Sequence, residues 1–223
     1  MITSWLRLPA AGCNPGGTRL SPVPYRRYRC AMSREMDARV RWDARWERNR
    51  QPQPPAACVV ESARFLPATG TALDVAGGSG RNAVWLAGRG LEVTLVDVSP
   101  VALTQAQELS VGAGIDISTL ERDLEALGWP DGEWDVVLIH HFLARELLAE
   151  VASVLLPGGI LILCQPTTRN LERHVRPGPS YLVDEGEFAT IVAKSGLEPL
   201  VLEETWGTDG RHEARVVARR SVG

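Results

Sequence analysis

The sequence predicts an α/β protein: a doubly wound, mostly parallel seven-stranded sheet with helices on both faces and a C-terminal antiparallel hairpin. From Thr71 onward, apolar runs of strand length alternate with helix-forming segments, which is the order of strand–helix–strand crossovers. A glycine-rich turn at residues 77–80 follows the first of these runs. The alternation ends in two strand-like segments joined by residues 207–210, Gly-Thr-Asp-Gly, which predict the hairpin.

The elements before the sheet are predicted to be helical. Residues 36–49 contain good helix formers, and Trp42 and Trp46 lie four positions apart, so that their side chains share one helix face. The proline-rich run Gln51–Pro55 ends this helix. A short helix is expected over Cys58–Leu66.

The alternating region is predicted from apolar runs, capping residues and glycines. Ser99 is a helix N-cap followed by Pro100 at the first helical position, and Gly90 is expected to close the preceding helix. The predicted strands are Ala72–Val75, Leu91–Val96, Ile115–Leu120, Trp134–Ile139 and Ile160–Cys164, and the predicted helices are Arg81–Arg89, residues 99–110, Ala144–Leu156 and Asp184–Ser195.

Residues 1–35 differ in composition from the domain predicted over residues 36–223. They contain six arginines and no acid before Glu35, and four prolines interrupt any periodic pattern. Such a segment buries too little apolar surface to order itself, which favours a disordered basic tail or a mis-assigned start upstream of Met32 or Met36. A mitochondrial transit peptide and a basic RNA-binding arm are the alternatives.

The composition limits the class of protein and its partners. The chain has 223 residues, 44% of them hydrophobic, and a net charge of −3, so no general field attracts nucleic acid or an anionic membrane. The apolar runs are too short to span a bilayer. The four cysteines are scattered without a C-x-x-C pair, which favours reduced thiols, a cytoplasmic location and no metal site.

The glycine turn predicts a cofactor site. Gly77, Gly78 and Gly80 lack Cβ atoms, so the backbone can approach a ligand at the start of a helix, outside the carboxyl ends of the strands. Residues 78–83 satisfy G-x-G-x-x-A, and Asp97 closes the next strand, 17 positions beyond Gly80, where a ribose-binding acid is expected. On these residues alone, an NAD(P)-dependent oxidoreductase remains a candidate.

Longer motifs resemble one family. Residues 73–103 resemble the opening strand–helix–strand unit of class I S-adenosylmethionine-dependent methyltransferases, and are most similar to the tellurite-resistance-type, small-molecule branch. Asp74 stands before the glycines, where dinucleotide-binding folds more usually have an apolar residue. Residues 155–161, L-L-P-G-G-I-L, resemble the family's turn into the fifth strand, and the closing hairpin resembles its reversed seventh strand.

The resemblance implies S-adenosylmethionine as cofactor and methyl transfer to a small-molecule acceptor. It implies that Asp97 accepts hydrogen bonds from the ribose hydroxyls, that Asp74 orders the loop or meets the cofactor's ammonium through water, and that Asp123 meets the adenine. For Asp74, capping of the loop's own N–H groups is the alternative. The implied cofactor-binding residues are Asp74, Gly77, Gly78, Gly80, Asn82, Asp97, Asp123, Leu124 and Trp46, the last from a lid helix.

His140 and His141 are the candidate catalytic residues. They follow the fourth predicted strand at the carboxyl edge of the sheet, where one of them can orient an acceptor or act as a base. A histidine that merely lines the cofactor cleft is the alternative. A basic loop at residues 167–179 lies beside the expected acceptor pocket. A monomer or homodimer is expected, and a non-catalytic cofactor-binding module is a further alternative function.

Overall fold

The computed structural model describes residues 38–207 and 209–222, and these form one seven-stranded sheet with helices on both faces. The strand order is β3-β2-β1-β4-β5-β7-β6. The first five strands run parallel to one another, and β7 is antiparallel to both of its neighbours. This arrangement confirms the predicted fold class, including the terminal hairpin.

The elements follow the predicted alternation. The strands are β1 (Gly70–Val75), β2 (Leu91–Asp97), β3 (Ser118–Glu121), β4 (Trp134–His140), β5 (Leu155–Pro166), β6 (Glu198–Trp206) and β7 (His212–Arg219). The helices are α1 (38–48 within the described residues), α2 (Ala57–Glu61), α3 (Arg81–Ala87), α4 (Pro100–Ala113), α5 (Leu124–Leu127), α6 (Arg145–Ala149) and α7 (Glu187–Ser195). Short 3₁₀ turns follow α2 and α6 and also occur between β5 and α7.

Both faces of the sheet are buried because successive side chains on a strand point to opposite faces. On β1, Leu73 packs into the cluster that contains Phe188 of α7, whereas the neighbouring Ala72 packs into the cluster that contains Val59 of α2. The continuous apolar runs of β4 and β5 therefore have a partner on each side. The carboxyl ends of β1, β2 and β4 meet at one edge, which is where the site is built.

The predicted helix Ala144–Leu156 is wrong in length. The structure has α6 over only five residues, a 3₁₀ turn over Val151–Val154, and then β5, which begins at Leu155. Leu155 pairs with Trp134 of β4, so sheet pairing takes residues that the periodicity had assigned to the helix. The predicted C-cap of α3 also moves, since the helix ends at Ala87 with Gly88 as its cap.

The predicted tail, residues 1–35, lies outside the described residues. Within the part of the chain that the structure describes, no helix is both long and apolar enough to cross a membrane.

Candidate cofactor crevice and active site

The glycine turn joins β1 to α3 at the carboxyl edge of the sheet, as predicted. Gly78 and Gly80 have φ angles of 58° and 82°, which L-residues with a Cβ rarely adopt. Gly80 also touches α4, since a Cβ there would lie 2.7 Å from the Cβ of Ala106. These glycines therefore set the backbone path and allow close approach to the turn, whose surface we call the crevice.

Asp97 ends β2 directly beside this turn and is 6% exposed. One carboxylate oxygen accepts a hydrogen bond from the Gly78 N–H and the other from the Ser99 N–H, both at 2.9 Å. Burial raises the pKa of Asp97, and the two N–H groups oppose that rise. Each oxygen keeps one lone pair for a further donor, so Asp97 both holds the turn and can accept from a diol.

Asp74 lies under the turn and is 1% exposed. Neither of its oxygens has a hydrogen-bond partner among the described residues, although buried polar groups are normally paired. A Cβ at Gly77 would lie 2.7 Å from an Asp74 oxygen, so the missing side chain brings the backbone onto the carboxylate. Burial, and then the Asp97 carboxylate, raise the pKa of Asp74 to about 7. The charge of Arg81 and the nearby Ala83 N–H, whose geometry falls short of a hydrogen bond, partly offset the rise.

This raised pKa predicts a pH-dependent stability penalty. Asp74 ionises near pH 3.8 when unfolded but near 7 when folded, so its contribution to the free energy of unfolding falls as pH rises from about 4 to 7. We expect Asp74→Asn to be more stable than the parent at pH 8, by at most about 4 kcal/mol, and nearly equal to it at pH 4. Urea unfolding of both proteins at each pH measures the difference.

The difference in free energy of unfolding between the parent and Asp74→Asn separates the contribution of Asp74 from those of the other titrating groups. His140, for example, acts in the opposite direction, because its lowered pKa makes the folded protein less stable as pH falls below 6.5. A stability gain for Asp74→Asn that is the same at pH 4 and pH 8 would contradict the raised pKa.

Helix α1 covers the crevice. The Trp46 ring rests on Gly78, where a Cβ would lie 2.8 Å from ring atom Cη2. Two hydrogen bonds fix the helix to α4 and its cap: Ser99 Oγ donates to Asp43 at 2.5 Å, and Gln105 Nε2 donates to the Trp46 carbonyl at 2.8 Å. The predicted lid residue Trp46 is therefore brought against the glycine turn.

Asn82 is placed differently from the other predicted cofactor residues. It is 3% exposed, and its side-chain oxygen accepts a hydrogen bond from the Ala56 N–H at 2.9 Å. Arg81 donates to the Gln53 side chain and the Pro54 carbonyl, both at 3.3 Å. These two residues connect the start of α3 to the proline-rich segment, which fixes the outer wall of the crevice.

Asp123 is the N-cap of α5, since one of its oxygens accepts from the Glu125 and Ala126 N–H groups at 3.0 and 3.2 Å. Its second oxygen accepts no hydrogen bond from any residue that the structure describes. Leu124 begins the helix, so its N–H belongs to the first turn, where helical N–H groups lack partners within the helix. The cap uses one Asp123 oxygen. The other Asp123 oxygen and the Leu124 N–H are therefore left for the adenine contact that the resemblance implies.

His140 and His141 lie side by side at the end of β4, with ring centroids 3.9 Å apart. Burial lowers the pKa of His140 well below 6.5, which keeps its imidazole neutral near pH 7. His141 has a φ of 59°, and its Nε2 lies 2.8 Å from an oxygen of Glu213 on β7. Burial would raise the pKa of Glu213, but hydrogen bonds from His141 and Cys164 and the charge of Arg215 lower it to about 2.

Sequence reasoning missed the residues around these histidines. Cys58, Cys164, Glu213 and Arg215 come from α2, β5 and β7, and all lie near the end of β4. Cys164 ends the predicted strand that follows the His140 strand, which was a usable signal. Nothing in the sequence placed Cys58 or Glu213 there.

Two arginines of the predicted basic loop have partners within the protein. Arg169 pairs with Glu172 and Glu185 at 3.0 and 3.5 Å, and the Arg173 guanidinium lies 3.7 Å from the centroid of the Trp206 ring. Arg169 is thus balanced by carboxylates, whereas Arg173 keeps its charge.

The strand order with its reversed seventh strand, the bare glycine turn and the acid at the end of β2 are the features that the resemblance to class I S-adenosylmethionine-dependent methyltransferases implies. In agreement, residues 72–159 match the family described as "Methyltransferase domain". The predicted family is thereby confirmed, with S-adenosylmethionine as the cofactor of that family.

Particular relatives can also be named. The chain is 37% identical over 100 residues to the demethylmenaquinone methyltransferase of Thermus thermophilus, covering 42% of this chain and 46% of that protein. The chain thus spans less than half of that curated relative.

Among solved structures, TehB from Haemophilus influenzae has a TM-score of 0.63 at 21% identity, covering 74% of this chain and 62% of that one. The magnesium protoporphyrin IX methyltransferase of Synechocystis PCC 6803, crystallised with bound SAH, has a TM-score of 0.59 at 20% identity, covering 92% of this chain and 90% of that one. At these identities the structures support the fold alone.

Proposed function

We propose that this protein transfers a methyl group from S-adenosylmethionine to a small-molecule acceptor. The observation that carries the proposal is the buried Asp74 carboxylate, which has no hydrogen-bond partner among the described residues and lies against the Cβ-free turn. An ionised carboxylate in such a place needs a positive partner, and the amino-acid end of the cofactor carries an ammonium group. The geometry therefore fits a ligand with a cationic end near Asp74 and a ribose near Asp97.

The chain's own residues would bind the cofactor and orient it. Asp97 accepts hydrogen bonds from the ribose hydroxyls with the lone pairs that Gly78 and Ser99 leave unused. The turn supplies close backbone contact, and Trp46 on α1 excludes water from above. When bound, the cofactor supplies an electrophilic methyl group on a sulfonium centre.

The acceptor side lies at the ends of β4 and β5. We propose that His140 and His141 line this side, because they extend from β4, the strand next to β1. An imidazole on this side can orient an acceptor or, at His141, accept its proton. In-line attack on a methyl sulfonium depends mainly on positioning, so a modest rate needs no stronger base.

A small-molecule acceptor is favoured over a macromolecular one. The names of the Thermus and Synechocystis relatives refer to a quinone and a porphyrin, both small molecules. The net charge of −3 offers no general attraction for nucleic acid. A cytoplasmic location and a monomer or homodimer complete the proposal.

Transfer of a labelled methyl group tests the proposal. The purified protein is incubated with methyl-labelled S-adenosylmethionine and separate pools of thiols, amines, carboxylates, quinols and oxyanions. We expect label in at least one small-molecule product, and none with Asp97→Ala. Cofactor binding without transfer to any pool would favour the binding-module alternative, and NADH binding without cofactor binding would favour the oxidoreductase.

A further inference from the structure

A second cluster of chemically reactive side chains lies at the carboxyl ends of β4 and β5. Cys58, His140 and Cys164 each place one ligand atom within 4.8 Å of the other two. Cys58 and Cys164 are 6% and 0% exposed, and neither thiol forms a disulfide within the part of the chain that the structure describes. Cofactor binding as proposed above uses neither thiol.

The fold brings these three residues together from distant parts of the chain. His140 and Cys164 are register partners on neighbouring parallel strands, so their side chains point to the same face of the sheet. Helix α2 packs on that face and contributes Cys58, which belongs to the same buried cluster as Cys164. Rigid elements therefore hold all three ligand atoms, as a metal site requires.

The surroundings of the cluster supply a charged outer layer. One Glu213 oxygen lies 3.3 Å from Cys164 Sγ, and the other lies 2.8 Å from His141 Nε2. Arg215 donates to Glu213 at 3.3 Å and to Glu61 at 2.9 Å. Glu213 accepts a hydrogen bond from the protonated Cys164 thiol and is itself held by Arg215. Loss of the thiol proton on metal binding would break the bond to Cys164, and Arg215 would then balance the Glu213 charge.

We propose that Cys58, His140 and Cys164 bind one soft transition-metal ion, with Zn²⁺ as the ion that this ligand set fits best. Two thiolates and an imidazole are preferred zinc ligands. With bonds of about 2.3 Å to sulfur and about 2.0 Å to nitrogen, a tetrahedral ion sets its ligand atoms roughly 3.5 Å apart, which small side-chain shifts reach from the present cluster.

Binding of Zn²⁺ leaves the net charge of the site unchanged. Each cysteine loses its thiol proton to solvent as its sulfur bonds to the ion, so two protons leave and the two thiolates neutralise Zn²⁺. No oxidation or reduction is involved. Three protein ligands leave a fourth position for water or another donor, as in zinc sites of the Cys₂His type.

The site also has an entry path. A cavity of about 300 Å³ lies between the α2 segment and β5, β6 and β7, and Cys58 and Arg215 line it. Two acidic residues, Glu61 and Glu203, and two basic residues, Arg64 and Arg215, also line it, so its charges balance. The cavity therefore gives access to Cys58, the ligand that α2 contributes.

The experiment uses the full chain with Cys13 and Cys30 replaced by serine, kept reduced with a phosphine. After dialysis against Zn²⁺ and then buffer, we expect one zinc per chain by elemental analysis. Titration with Co²⁺ should give one equivalent with sulfur-to-metal charge-transfer absorption. Cys58→Ala, Cys164→Ala and His140→Ala should each weaken Zn²⁺ binding at least 100-fold in competition with a chromophoric chelator.

His174→Ala is the matched control, because that histidine is exposed and bonded to the Gly210 carbonyl. It should bind Zn²⁺ like the parent, and circular dichroism should show that all variants keep the parent's secondary structure. Absence of stoichiometric zinc in the reduced parent would overturn the proposal. So would a Cys58→Ala, Cys164→Ala double variant that is folded and retains the parent's affinity.

Discussion

Replacing Asp97 with alanine is expected to weaken binding of S-adenosylhomocysteine at least 100-fold. Asp97 supplies both proposed ribose hydrogen bonds, and a hydrogen bond to a charged group contributes about 1.5–3 kcal/mol. The change also releases the Gly78 and Ser99 N–H groups that the carboxylate now holds at 2.9 Å, so the turn loses its anchor to β2. Isothermal titration calorimetry measures the affinity.

Glu92→Ala is the matched control for this prediction. Glu92 lies on the same strand but its side chain is exposed near the opposite end, so the affinity should stay within twofold of the parent. Asp97→Asn is a second probe, since its amide NH₂ would face one of the two N–H donors and binding should again fall steeply. An Asp97→Ala protein that is folded and binds within threefold of the parent would contradict the role assigned to Asp97.

Replacing Gly80 with alanine is expected to lower the free energy of unfolding by about 2–4 kcal/mol. The residue has a φ of 82°, and an added Cβ would lie 2.7 Å from the Cβ and 3.0 Å from the Cα of Ala106. Strain in the left-handed region costs about 1 kcal/mol. The overlap with the α4 backbone adds about 1–3 kcal/mol, because a helix cannot move aside as a flexible side chain can. Chemical denaturation measures the loss.

Gly114→Ala separates the cost of backbone strain from the cost of steric overlap with α4. Gly114 caps α4 with a φ of 67°, but an added Cβ would meet no non-neighbouring atom within 4 Å among residues 38–207 and 209–222. We expect this variant to lose only about 1 kcal/mol. Equal losses for Gly80→Ala and Gly114→Ala would show that the contact between the turn and α4 is not tight.

The predictable part of the fold rests on local signals. Ser99 and Pro100 marked the start of α4, and the apolar run Trp134–Ile139 marked the strand β4; both are confirmed. The helix predicted over Ala144–Leu156 was wrong because the pairing of Leu155 with Trp134 depends on sheet register, which local periodicity does not contain.

The candidate site likewise has contacts that local sequence predicted and contacts that depend on the packing of distant elements. Gly78 and Asp97 were predicted to act together from their spacing, and the structure joins them by a hydrogen bond. The side chain of Asn82 bonds to Ala56, a contact across 26 residues that its motif did not indicate. The grouping of Cys58 with His140 required the docking of α2 on the sheet, which no sequence spacing encodes.

A crystal structure of the protein with S-adenosylhomocysteine tests the central claim most directly. We predict both ribose hydroxyls at about 3 Å from the Asp97 carboxylate, the amino-acid end along Gly77–Gly80, and its ammonium on the Asp74 side. A ligand found elsewhere, or a crevice that accepts NADH but not S-adenosylhomocysteine, would contradict the account.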